Sequence, residues 1–182
     1  MSTETRNRLI EIATDAVRRR GYHAVSFRDL AGSLGIKSAS VHYHFPQKED
    51  LGAAIVADYA TAYFAELERR THRSSTPTAR LRAMRDVYRD ALGDAELHCL
   101  CGMLGAEARG LPDALRGSVN AFFEANVAWV REALPPGVRD RRSRARQFVA
   151  TLQGAMMLAG SLDDASVFDD ATSRLLRDAG GW

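Results

Sequence analysis

Apolar residues recur three and four positions apart along almost the whole chain, and no stretch keeps the two-residue alternation of a strand. Thr3 to Arg20 puts Leu9, Ile10, Ala13, Ala16 and Val17 on one face, and Gly21 follows as a C-terminal stop. After the link Tyr22 to Val25, Ser26 caps a second helix over Arg28–Leu34, with Leu30, Ala31 and Leu34 inward. Gly35 closes it and Ile36 drops back toward the core. Ser38 is the N-cap candidate of a third helix that buries Val41 and Phe45, and Pro46 cannot continue it. A fourth helix, about 47–70, runs through Leu51, Ile55, Tyr59 and Phe64. The polar stretch 71–78 then breaks the period.

Thr76 and Pro77 open a fifth helix to about Leu92 in the cap-then-proline order of an N-terminus. Leu97 to Arg109, ended by Gly110, predicts a sixth. A long seventh begins at Pro112, passes Phe122, Phe123, Val127, Trp129 and Val130, and stops at Pro135-Pro136-Gly137. Arg141–Gly160 and Asp164–Ala179 supply the eighth and ninth. The expected fold is all-α with about nine helices. Residues 1–48 form a three-helix module, 49–182 a larger helical domain, and helix four links them.

Within that pattern residues 26–48, SFRDLAGSLGIKSASVHYHFPQK, stand out. Two short helices cross a glycine turn, and the second presents Ser38, Ala39, Ser40, His42, Tyr43 and His44 away from its buried face. These groups are small or flat, able to donate hydrogen bonds or pack on a sugar-phosphate edge. That is the form of a helix-turn-helix whose second helix enters a major groove. Packed instead as a plain core hairpin, the segment would bury three polar rings beside two cations, which is poor core material.

Composition narrows the setting. The chain has 182 residues, 46% of them hydrophobic and 26% charged, with a net charge of only +2. No global basic field draws it to nucleic acid, so any footprint must be local. Lysine occurs only at Lys37 and Lys48, one in the turn and one just past the second helix; every other cation is arginine. Residues 1–20 are polar and arginine-bearing, which predicts no secretory signal. No apolar run reaches the roughly 20 residues of a membrane span. Cys99 and Cys101, one residue apart, make a poor disulfide framework and fit a reducing cytoplasm.

The run LA…LG, the small-residue start at Ser38, the aromatic pair Tyr43 and Phe45 around His44, and Lys48-Glu49-Asp50-Leu51 together resemble the TetR family of bacterial transcriptional repressors. The resemblance covers roughly residues 5–55. It implies a homodimer whose N-terminal three-helix module binds a double-stranded DNA operator and whose C-terminal domain binds a small-molecule effector. Carried over residue by residue, it places Ser26 and Arg28 at the entry of the first helix, against phosphate or a base. Lys37, Ser38, Ala39 and Ser40 fall at the start of the recognition helix. Tyr43 and His44 lie on its phosphate-facing side, and Lys48 at the N-terminus of helix four, where cation and helix dipole both favour phosphate. His42 sits where the family more often has tyrosine.

A switchable repressor needs a second site whose ligand distinguishes two states. Helices six and seven hold the least core-like residues: His98, Cys99, Cys101, Met103, Phe122, Asn126 and Trp129. Tyr88, Gln153 and Met156 lie on their neighbours. Polar groups among Met and aromatics suit a mostly apolar pocket with a few orienting contacts, although such stripes also serve plain packing. The cysteines admit an oxidation or electrophile switch, and the alternative regulator answers to thiol chemistry or a protein partner instead of a reversible ligand. One His and two Cys on one helix point different ways, so no metal is expected. Neither a phosphate loop nor a nucleophile with its base occurs, so neither an enzyme nor a cofactor is expected.

Helices eight and nine, about 141–179, are the expected dimer interface. Phe148, Leu152, Ala155, Met156 and Ala159 share a face on the first, with Gly154 and Gly160 allowing close approach. Phe168, Ala171, Leu175 and Leu176 share one on the second. A dimer would set two recognition helices about one DNA turn apart on a palindromic operator. The arginine run Arg139, Arg141, Arg142, Arg144 and Arg146 reads as a solvated helix start.

Overall fold

The computed structural model describes residues 3–72, 76–93 and 99–180. Those residues form nine helices and no strand: α1 (Thr3–Arg20), α2 (Phe27–Leu34), α3 (Ser38–His44), α4 (Lys48–Thr71), α5 (Pro77–Gly93), α6 (Leu100–Ala106), α7 (Asp113–Ala133), α8 (Arg141–Leu162) and α9 (Ser166–Gly180). Among them no helix is long and apolar enough to cross a membrane.

The chain packs as two compact units, residues 1–61 with 100–120, and residues 62–99 with 121–182. This division is not collinear with the chain. α6 and the start of α7 belong with the N-terminal helices, so packing does not follow the cut at 48/49. Periodicity marks the apolar side of α6, with Leu100 and Leu104 buried, but it does not say which helices that side meets.

In the first unit α1 buries Leu9, Ile10, Ala13 and Val17, α2 buries Leu30 and Ala31, and α3 buries Val41. Phe45 follows with its ring enclosed and the guanidinium of Arg6 5.2 Å from the ring centroid. Each of the larger of these side chains, the Leu, Ile, Val and Phe, contributes roughly 1.5–3 kcal/mol. Two expectations change here. Ser38 is the first helical residue of α3 and Lys37 the N-cap, with extended backbone and no side-chain cap bond. The sixth helix stops at Ala106, short of Arg109. Its ladder tightens at Glu107, whose N–H reaches Leu104 O at 3.1 Å, and Gly110 N–H then closes a turn on Glu107 O at 2.8 Å. The expected start at Leu97 lies outside the described residues.

In the second unit α5, α8 and α9 enclose Leu81, Met84, Tyr88, Phe148, Leu152, Met156 and Phe168. Arg85 and Arg89 of α5 both reach Asp169 of α9, at 3.1 and 2.9 Å, and Arg85 also donates to Thr172 Oγ1. α8 runs past Gly160 to Leu162 and ends at Asp163, which takes the left-handed conformation that Asp tolerates. Arg141 departs from a purely solvated role. Its guanidinium donates to the carbonyls of Arg131 and Leu134, the second at 3.0 Å, satisfying the orphan acceptors at the end of α7.

The C-terminal end of α4 carries an ion-pair knot. Glu66 accepts from Arg69 and Arg70, and Arg70 also bonds Asp90 of α5. The hydrogen bonds from Arg69 and then Arg70 hold the Glu66 carboxyl down at about 2, from an ordinary value of 4.5. A depressed carboxylate stabilises the fold above its unfolded value and stops doing so as pH falls through its folded one. Thermal melts should therefore show Glu66→Gln losing less stability than the wild type as pH drops from about 4.5 to about 2. Parallel acid profiles would contradict the assignment.

Candidate nucleic-acid interface

The exposed side of the first unit is built by its helix ends. Ser26, in extended backbone, accepts from the N–H of Asp29 at 3.2 Å and donates its hydroxyl proton to Asp29 Oδ2 at 2.7 Å. This reciprocal cap fixes the start of α2 and commits the Ser26 hydroxyl proton within the chain. At the other end Gly35 has φ +64°, a left-handed stop where an L side chain would be strained. Ile36 N–H returns to Ala31 O at 3.0 Å. The turn therefore has one geometry, and it aims α3.

On α3 the fully buried residue is Val41, and the side away from it is the exposed one. Ser38 and Ala39 are exposed, Ser40 is half-buried, and Lys37 and Arg28 are exposed beside them. Tyr43 is 68% exposed, so its ring and hydroxyl are open to solvent. His42 is also exposed but held. Its ring meets Phe27 edge-on at 4.8 Å, and Nδ1 lies 3.4 Å from Pro46 O. His44 differs from expectation. It is half-buried against the edge of Tyr43, and its Nε2 is shut from solvent with no hydrogen-bond partner among the described residues. That nitrogen does not face a groove.

Lys48 opens α4 and is half-buried. Its ammonium lies 4.4 Å from the Tyr22 ring centroid and 3.5 Å from His23 O. Burial lowers its pKa from the usual lysine value, and the charge of Glu107 partly restores it. Burial, with a smaller push from Glu49, raises the Tyr22 phenol. The cation is thus seated on an aromatic face and does not swing freely. Arg28, Lys37, Ser38, Ala39 and Tyr43 are exposed and Ser40 and Lys48 half-buried, so cations and hydrogen-bonding groups are accessible on α2, on α3 and at the start of α4.

The residues expected to meet an effector divide between the units. Cys101 and Met103 lie on α6 in the first, Cys101 fully buried and Met103 half-buried. In the second, Asn126 is fully buried; it accepts from the Tyr63 hydroxyl at 2.7 Å and donates to Phe122 O at 2.8 Å. Tyr63 meets Phe122 edge-on at 5.2 Å and Tyr88 at 6.1 Å. Gln153 donates to the Tyr88 hydroxyl at 2.9 Å and approaches Cys99 Sγ at 3.5 Å. Tyr88, Phe122, Asn126 and Gln153 thus gather around Tyr63. Met156 is buried in the same unit, while Trp129 lies half-buried under Arg80, 4.9 Å from its ring centroid. His98 lies outside the described residues.

Tyr63 is the member that sequence reasoning missed. The spacing along α4 predicts a face through Leu51, Ile55, Tyr59 and Phe64, whereas the buried register continues from Leu51 and Ile55 through Val56, Tyr63 and Leu67, with Tyr59 and Phe64 half-buried. Its hydroxyl, paired with a buried amide, gives no local signal. Among the described residues no group of three or more His, Cys, Asp or Glu could hold a metal ion.

Residues 9–55 match the family model described as bacterial regulatory proteins, tetR family. A curated relative, the transcriptional regulator AcuR of Cereibacter sphaeroides, is 28% identical over 120 residues, covering 64% of this chain and 54% of that protein. The chain spans about half the length of that relative. Solved structures match over nearly their whole length. A TetR transcriptional regulator from Legionella pneumophila superposes with a TM-score of 0.89 at 27% identity, covering 98% of this chain and 97% of that one. A TetR-family regulator from Agrobacterium tumefaciens gives 0.89 at 28%, covering 96% and 97%.

Proposed function

We propose that the chain, whose residues 9–55 match the model for bacterial regulatory proteins of the tetR family and whose fold superposes on solved TetR regulators, is a cytoplasmic transcriptional repressor of that family, a homodimer that binds a palindromic operator until a small molecule occupies its second unit. The observation that carries this reading is α3. It is a short helix anchored by Val41 and Phe45, fixed in direction by the caps at Ser26 and Gly35, and exposed along Ser38, Ala39 and Tyr43. In it Lys37, Arg28 and Lys48 neutralise backbone phosphates, while Ser40 and its neighbours meet base edges.

The effector site is the cluster of Tyr63, Tyr88, Asn126 and Gln153. Its amides and phenols bond one another within apolar walls, so a ligand able to exchange hydrogen bonds with them has a set to take over. A switch through the cysteines is the weaker reading. Cys99 and Cys101 are both buried, which protects a thiol from reagents.

The dimer face on α8 is not the one its strongest apolar stripe suggests. Phe148, Leu152, Ala155, Met156 and Ala159 are consumed by the protomer's own core, as are Phe168 and Leu175 of α9. Another side of α8 remains open: Met157, Leu158 and Leu162 are 61, 51 and 63% exposed, and beside Gly154 they follow a three-to-four residue repeat. Apolar groups so placed suit burial against a second copy of the chain.

Three measurements test these parts. In a gel shift with the DNA upstream of the protein's own gene, Lys48→Ala should weaken binding at all sequences and reduce the salt slope by about 1, whereas a Ser40 substitution should change sequence preference. Unaltered salt dependence in Lys48→Ala would remove the phosphate role. Light scattering should report a dimer for the wild type and a folded monomer for Leu158→Glu; a wild-type monomer at micromolar concentration overturns the dimer. Both thiols should resist a disulfide reagent in the native protein and react at once in denaturant, and fast native labelling would revive the thiol switch.

A further inference from the structure

Tyr22 and Glu107 are 85 residues apart in the chain, yet the Tyr22 N–H donates to Glu107 Oε2 at 2.8 Å. The other carboxylate oxygen lies against Gly21, where a Cβ would collide with Glu107 Oε1. Gly21 also has φ +81°, so only glycine both takes this backbone conformation and admits the carboxylate. One residue on, His23 meets the same loop: a Cβ at Gly110 would come within 3.0 Å of His23 Nε2. The turn that ends α1 is therefore gripped by residues 107–110, which follow α6.

The same turn is the seat of Lys48. Its ammonium rests on the Tyr22 ring and beside the His23 carbonyl, so two consecutive residues of the gripped turn locate it. Glu107 acts on that seat twice. Its hydrogen bond fixes the backbone that carries the ring, and its negative charge favours the ammonium form of a half-buried lysine.

We propose that Glu107 is a positioning residue for DNA binding: by clamping the Gly21–His23 turn from the end of α6, it holds the Lys48 ammonium where a phosphate can meet it. This rests on the operator-binding reading above. It assigns to a loop far from α3 in the chain a share of the phosphate contact, and makes the placement of α6 a condition of it.

The test compares duplex binding by wild type, Glu107→Ala, Glu107→Gln, Lys48→Ala and the double variant Glu107→Ala/Lys48→Ala, using the DNA upstream of the protein's own gene. Glu107→Ala should bind about tenfold more weakly with a flatter salt slope, at unchanged helical content. Glu107→Gln keeps an acceptor for Tyr22 N–H and should recover most of the affinity. The double variant should bind no worse than Lys48→Ala alone, because the two residues act through one contact. Wild-type affinity in Glu107→Ala, or losses that simply add in the double variant, would overturn the inference. Should Glu107→Ala fail to fold, Glu107→Asp, one methylene short of the turn, carries the same comparison. Amide exchange at Tyr22 separates this idea from the reading it rests on: it should be slow in wild type and Glu107→Gln and fast in Glu107→Ala. A wild type that binds no DNA overturns the operator reading, and equal Tyr22 exchange in all three proteins overturns the clamp.

Discussion

A helix of seven residues has no independent stability in water, so α3 exists only because Val41 and Phe45 are held in the core of the first unit. Everything proposed about DNA depends on that anchorage. The buried pair fixes the rotation of α3 about its axis, which decides that Tyr43 and Ser38 face outward. The caps at Ser26 and Gly35 fix its direction. Two side chains and two caps hold α3 in one orientation, so its exposed side chains need no reordering before they meet a partner.

The same economy governs charge. With a net charge of +2, the chain has no diffuse attraction to spend on nucleic acid, and its cations serve particular places. Many arginines are occupied within the protein. Arg85 and Arg89 tie α5 to α9, Arg70 ties α4 to α5, and Arg141 caps α7. The two lysines instead flank α3, one before it and one at the start of α4. Lys48 is cradled and Lys37 is exposed.

Local features of this architecture were legible in the sequence, and distant ones were not. The caps at Ser26, Gly35 and Thr76 are read from a few adjacent residues, because the groups they satisfy lie within one turn. Ser38 misled for the same local reason: a serine at a helix start is a good cap, but here the extended residue is Lys37. α8 is apolar on two sides, and spacing alone cannot say which one the protomer consumes. Burial answers it, giving Phe148, Leu152 and Met156 to the core and leaving Met157, Leu158 and Leu162 outside. Tyr63 and Glu107 were invisible, since each acts through a partner more than sixty residues away. Exposure at Ser38, Ala39 and Tyr43 follows from helical spacing, whereas the half-burial of His44 and Lys48 does not, because a half-buried side chain and an exposed one look alike at that spacing.

In the proposed complex two copies of this unit present their α3 helices to one duplex. Hydroxyl-radical footprinting of the wild-type protein on DNA from upstream of its gene tests it most directly. Two protected patches related by a two-fold axis are expected, with centres about one helical turn apart or a whole multiple of that. A single patch, or cleavage unchanged by the protein, would contradict it.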